Sequence, residues 1–267
     1  MSNTGHFIDR DRIKKQFAEY VADYNQDDDK ILLKVKHTYR VATISDELAG
    51  QIGLRGYERD LAWVIGMLHD IGRFEQLRRY NTFVDADSID HAKFGVELLF
   101  GEGLLWKFLD EELVPPEDIC VLEKAIGNHS AFRIESGLSK RELQYAKIIR
   151  DADKIDILKV ASDVPLEIIY NVTTEQIHAA PVSDAVMEQF GNEQAILRAD
   201  KRVPIDNLVG HIALVFELEF PESYRLVKEQ EYLTKLLGFQ THNSRLAAQF
   251  SLLREHMNNF LERKLAD

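Results

Sequence analysis

The chain has a single cysteine, Cys120, among 267 residues. An intramolecular disulfide is therefore excluded, and the composition fits a reducing compartment, so the cytoplasm is the expected location. Cys120 falls within an apolar helical pattern and is expected to be a buried, inert thiol. Basic residues are also scarce: 33 Lys and Arg against 45 Asp and Glu leave a formal net charge of −12. That field disfavours nucleic-acid polymers and anionic membranes as partners, and a phosphate-bearing ligand then needs a local cationic site. No apolar run is long enough to span a bilayer, and the opening MSNTGHFIDRDRIKKQF has no signal-peptide core. Internal repeats, low-complexity tracts and Gly/Ser linkers are absent as well.

Six prolines and fourteen glycines leave long stretches with the period of amphipathic helices. The spacing predicts helices over 8–24 and 30–53, separated by the acidic NQDDD at 25–29. A helix ERDLAWVIGMLHDIG follows, with Gly72 as its terminator, and then loop or short turns over 78–89. Helix resumes at about 90–100, breaks at Gly101 and Gly103, and runs again from Pro115 and Pro116 to about His129. A loop at 130–139 leads to a helix over 140–163 that stops before Pro165. Further helices are expected over 183–198, 204–218, 222–237 and 243–264. In the last of these Leu246, Phe250, Leu253, Met257 and Phe260 mark a core face. Valine and isoleucine do not alternate with polar residues, so the expected fold is all-α. Its expected parts are an N-terminal helical segment (1–29), a helical core (30–165) and a C-terminal helical extension packed on that core (166–267).

Polar residues break the inward stripes at particular positions. His37 is in register with Val41, Ile44 and Leu48, and His91 with Gly95, Leu98 and Leu99. His129 follows Leu122, Ala125 and Ile126 by helical steps, and Asp153 continues the row of Ala146, Ile149, Ile157 and Val160. His69 and Asp70 end the apolar run GMLHD. Taken singly, each histidine is more often a hydrogen-bonded core residue than a ligand. As a set they direct metal-competent groups inward, and Asp70 and Asp153 need a cation to stay ionised in a core. One shared metal centre satisfies all of them together. Imidazoles and carboxylates without thiolate suit borderline first-row ions. Four groups suffice for one ion with open positions. Six can hold two ions about 3.5–4 Å apart, which bracket a phosphoryl oxygen and activate a bridging hydroxide.

In chain order, KHTYRVA (36–42), GMLHDIGRFE (66–75), DHAKFGVELL (90–99), IGNHSAF (126–132) and RDADKID (150–156) resemble the HD-domain superfamily of metal-dependent phosphohydrolases. The resemblance covers about residues 30–160, and the C-terminal part contributes nothing to it. It implies an all-helical fold in which His37, His69, Asp70 and Asp153 bind a divalent metal that hydrolyses phosphate esters of nucleotides. Asp153 is preferred to Asp151 because the family's aspartate commonly adjoins a basic residue, here Lys154; the helical register agrees. His91 and His129 match the additional histidines of the family's binuclear branches. The implied cofactor is one or two divalent ions (manganese, iron, cobalt, zinc or magnesium), and the implied partner a small phosphorylated substrate such as a nucleotide.

The expected roles are Asp70 as bridging ligand and nucleophile-orienting group, with Arg73 and Lys154 neutralising phosphoryl charge. Lys93 is a weaker candidate for the same work, and Glu75 and Asp156 are candidates for orienting ligand imidazoles. Specificity is expected in the loops at 74–90 and 130–139 and in the C-terminal helices. His6, His178, His211, His242 and His256 fall outside the constellation. Where the family's cyclic-dinucleotide phosphodiesterases have two adjacent histidines and a GYP motif, this chain has His129–Ser130 and no GYP, which argues against cyclic di-GMP. The ligand series also resembles that of the superfamily's di-iron oxygenases, similar to myo-inositol oxygenase. A metal-stabilised regulatory or binding domain with little turnover is the third reading.

Overall fold

The structure, a computed structural model, describes residues 8–170 and 172–266; His6 lies outside the described residues. Every regular element among them is helical and none is a strand, so the all-α expectation holds. The chain divides into two compact units, Met1–Asp153 and Lys154–Asp267.

The first unit contains α1 (Arg10–Ala22), α2 (Asp29–Gln51), α3 (Tyr57–Leu68), α4 (Ile71–Tyr80), α5 (His91–Val96), α6 (Leu105–Phe108), α7 (Pro116–Asn128) and most of α8 (Lys140–Asp163). Acidic caps start several of them: Asp9 accepts from the backbone N–H groups of Asp11 and Arg12, Asp28 from Lys30, and Asp90 from Ala92 and Lys93. Phe17, Phe74 and Tyr145 are among its largest fully buried side chains.

Two glycine contacts position the helices that matter here. A Cβ on Gly66 in α3 would lie 2.5 Å from Ala42 Cα in α2, so those helices pack backbone against backbone. A Cβ on Gly72 would lie 2.4 Å from the His91 carbonyl oxygen and 2.8 Å from Gly95 N, which brings α4 equally close to α5. Gly72 is therefore not the terminator expected from the sequence. The break falls earlier: α3 ends at Leu68, His69 and Asp70 form the turn, and Gly72 sits in the first turn of α4 because no larger residue fits against α5. α4 also runs on to Tyr80 and ends at Asn81 in the left-handed region (φ 53°), so the connection to α5 is 81–90 rather than a loop from 74.

Cys120 is exposed, not buried. The inward residues of α7 are Asp118, Val121, Leu122, Ala125 and Ile126, and Cys120 lies off that stripe.

The second unit contains the end of α8, then α9 (Leu166–Tyr170), α10 (Thr174–His178), α11 (Asp184–Gly191), α12 (Ile205–Ala213), α13 (Pro221–Gln230), α14 (Tyr232–Leu237) and α15 (Ser244–Ala266). The sequence reading missed α9 and α10, the latter opened by a capping box of Thr173 and Gln176. It also overextended α11, which stops at Gly191 before Glu193 adopts φ 56°. In α15 the five stripe residues from Leu246 to Phe260 are all buried.

Gly72→Ala is expected to lower stability by about 1–3 kcal/mol through overpacking against α5. The urea midpoint measures it, with Gly191→Ala as a control: a Cβ there meets nothing within 4 Å. A Gly72→Ala midpoint no lower than that control's would contradict the close α4–α5 contact.

Candidate metal centre

Four helices and the turn between α3 and α4 bring six side chains together. His37 comes from the inward stripe of α2, His91 from the start of α5, His129 from the end of α7 and Asp153 from α8. Their ligand atoms form three overlapping groups, each within 4.8 Å: His37, His69 and Asp70; His69, His129 and Asp153; and Asp70, His91 and His129.

Asp70 stands between the histidines. Its Oδ2 lies 3.5 Å from His37 Nε2 and 3.6 Å from His69 Nε2, whereas Oδ1 lies 3.4 Å from His91 Nε2 and 3.6 Å from His129 Nε2. Asp153 Oδ1 closes the first side, 3.1 Å from His37 Nε2 and 3.9 Å from His69 Nε2. A single carboxylate thus presents one oxygen to each of two imidazole pairs.

The outer nitrogens of three imidazoles are fixed. His69 Nδ1–H donates to the Gly66 carbonyl at 2.7 Å, and His129 Nδ1–H to the Ile126 carbonyl at 2.7 Å. His91 Nδ1–H donates to Asp85 Oδ2 at 2.6 Å. With the proton on Nδ1 in each neutral ring, the Nε2 lone pairs all face inward. His69 Nε2 is buried and has no hydrogen-bond partner. The Nε2 atoms of His91 and His129 are 3.0 Å apart. Two lone pairs at that distance repel, and a cation between them turns the repulsion into ligation. The donor set therefore fits a divalent ion, or two sharing Asp70, and its N/O character suits borderline metals.

The charge states agree. Burial pushes His69 down to about 3, so the ring is neutral at physiological pH. Burial lowers His91 as well. For Asp70 burial acts to raise the pKa, but Lys34, His69 and the other imidazoles overcome it and hold the carboxyl well below its usual range. Burial likewise opposes ionisation of Asp153, and the neighbouring His37, His69 and His129 bring it below the ordinary carboxylate value.

Two groups that the sequence reading did not single out shape this centre. Lys34 donates to Asp70 Oδ2 at 2.6 Å. Its place three residues before His37, hence on the same helical face, was the available signal. Asp85 orients His91 and is itself held by Arg73 Nη1 at 2.7 Å and Gln76 Nε2 at 2.9 Å. It belongs to an irregular connection, where no periodicity marks it. Arg73 stands at the centre: Nη1 donates also to Gln76 Oε1 and the Phe83 carbonyl, and Nε lies 3.6 Å from Asp70 Oδ1.

The remaining candidates have partners of their own. Lys154 Nζ is 3.4 Å from both Oε2 and the carbonyl oxygen of Glu217, within the second unit. The Lys93 side chain is 80% exposed and pairs with Asp90. Glu75, expected to orient an imidazole, instead accepts from Tyr24 at 3.3 Å and pairs with Arg78 and Arg79. Asp156 is buried in the second unit. His178 bonds Thr241, His211 bonds Tyr170, His256 lies 3.6 Å from Glu193, and His242 is exposed.

Two measurements test this geometry. An unfolded histidine titrates near 6.5, so below that pH the unfolded chain takes a proton that folded His69 refuses, and stability falls as pH drops. His69 alone is expected to remove about 1 kcal/mol from the metal-free protein between pH 7.5 and 5.5, read from urea midpoints. The lowered Asp70 and Asp153 carboxyls add a further loss only below about pH 4. Secondly, Asp85→Asn is expected to weaken metal binding on the His91–His129 side by about 10–100-fold while the His37–His69 side keeps its affinity. Calorimetric titration with Mn²⁺ distinguishes this from a uniform loss.

Residues 35–158 match the family model described as HD domain, a span that includes all six clustered side chains. No curated protein and no solved structure matches the chain. The sequence match and the clustered imidazoles and carboxylates agree, so residues 35–158 are similar to the HD-domain superfamily, whose members are generally metal-dependent phosphohydrolases.

Proposed function

We propose that the protein hydrolyses a small phosphate ester, a nucleotide or a relative of one, using water activated by one or two divalent ions at the His37–His69–Asp70–His91–His129–Asp153 cluster. The observation that carries this reading is the division of Asp70, with Oδ2 toward His37 and His69 and Oδ1 toward His91 and His129. A divalent ion bound there supplies a water whose pKa is drawn toward neutrality and polarises a phosphoryl oxygen.

The chain's own groups prepare that chemistry. The Gly66 and Ile126 carbonyls and the Asp85 carboxylate hold three imidazoles in the tautomer that leaves Nε2 bare. Ionised Asp70 orients the attacking water and shares the charge of both sides of the centre. Arg73, anchored through Nη1, keeps its guanidinium beside Asp70 Oδ1, where it offsets negative charge developing on a phosphoryl group. In a chain of net charge −12, such local cations are what hold a phosphate.

Protein purified without chelator is expected to contain first-row metal by elemental analysis, and to lose it in Asp70→Ala and His69→Ala. On a panel of phosphomonoesters and phosphodiesters, those variants and chelator-treated wild type are expected to fall by about 10³-fold or more in kcat. Equal metal content in wild type and both variants would sink the reading. Turnover that stops under argon would replace it with the di-iron oxygenase reading.

A further inference from the structure

We propose that Lys34 is a second phosphate-binding cation of this centre, beside Arg73: its ammonium, which lies against Asp70, turns to a phosphoryl oxygen of the ester once an ion is bound. The inference builds on the phosphohydrolase reading above. It concerns a residue just outside the 35–158 family match.

The position of the ammonium is the first argument. Lys34 Nζ lies 2.6 Å from Asp70 Oδ2, the oxygen that also faces His37 and His69. Were a divalent ion held at that oxygen, the ammonium would be repelled from it and its compensation of Asp70 would no longer be needed. The second argument is access. The Lys34 side chain is 18% exposed against 2% for Asp70, so it enters the centre from the rim. The half-buried Phe83 ring, 5.7 Å from Nζ, gives the released ammonium a cation–π contact that keeps it close.

Spare donor capacity is the third argument. An ammonium has three N–H donors, and Asp70 is the one hydrogen-bond acceptor of Lys34 among the described residues. Arg73 Nη1, by comparison, already serves three acceptors, and its Nε, buried without a hydrogen-bond partner, lies 3.6 Å from Asp70 Oδ1, on the other side of the carboxylate. Lys93 faces solvent beside Asp90, and Lys154 is turned to Glu217. Lys34 therefore combines proximity to the ligand carboxylate with unused donors, as binding a phosphate dianion requires.

The test uses the full chain with Lys34→Met and Lys34→Arg. Metal-free protein is titrated calorimetrically with Mn²⁺, and Mn²⁺-loaded protein is then titrated with inorganic phosphate. Lys34→Met is expected to bind Mn²⁺ severalfold more tightly, since a competing cation is gone, and phosphate about tenfold or more weakly. Lys34→Arg is expected to keep most of the phosphate affinity. Lys34→Gln, which keeps a donor to Asp70, takes the place of the Met variant should that fail to fold, with the same two readouts. Unchanged or weaker Mn²⁺ binding would show that Lys34 merely braces Asp70 and overturn the proposal. So would phosphate affinity that survives the substitution. Failure of the hydrolase reading itself has a separate signature, loaded wild type that binds no phosphate at all, and that result also removes the proposal.

Discussion

The first unit is organised around one buried charge. Asp70 is 2% exposed and stands among four imidazoles, an arrangement in which burial alone would favour the neutral acid. The imidazoles do not supply a full compensating charge, because His69 is itself held neutral by burial. Compensation comes from Lys34 on one oxygen and, at longer range, Arg73 on the other. The rest of the geometry serves this residue: the turn that breaks α3 from α4, the glycine contacts that bring α2 and α5 to that turn, and the backbone carbonyls that turn the imidazole lone pairs inward.

Other buried carboxylates in the chain show what the ordinary solution looks like. Asp118 accepts from Tyr57 at 2.5 Å and pairs with Arg141. Asp206 accepts from the backbone N–H groups of Ser183, Arg202 and Val203 and from the Ser183 hydroxyl. Each is closed by protein donors, as a structural carboxylate in a core must be. Asp70, apart from its bond from Lys34, and Asp153 instead face nitrogens that, in the neutral state, have lone pairs to offer rather than protons. That difference in partner chemistry separates a metal centre from a structural carboxylate.

Much of this was legible in the sequence, and the limits have physical causes. Helical periodicity placed α2, α7, α8 and α15 because each has one long apolar stripe, and histidine or aspartate interrupting a stripe was visible as an anomaly. Gly72 was misread since termination and close packing both call for a residue without Cβ, and only the position of α5 separates them. Cys120 was misplaced because an apolar composition does not say which side of α7 a residue faces. Asp85 sits in an irregular connection, where residue type alone carries no register. Lys34 reads as an ordinary surface lysine until its helix is set against the turn that follows α3.

Gly66 joins two of these features in a single residue. Its missing Cβ lets α3 rest on the backbone of α2, and its carbonyl oxygen takes the His69 Nδ1 proton. Helix spacing and ligand tautomer are therefore not independent variables. His37, His69, Asp70 and Asp153 would hold an ion between early and late segments of the first unit, and it would tie them much as a cross-link does. The α2–α3 contact and the ligand that such an ion would use are thus set by the same residue, Gly66. A change that moves α3 away from α2 therefore also moves the acceptor that fixes the His69 tautomer.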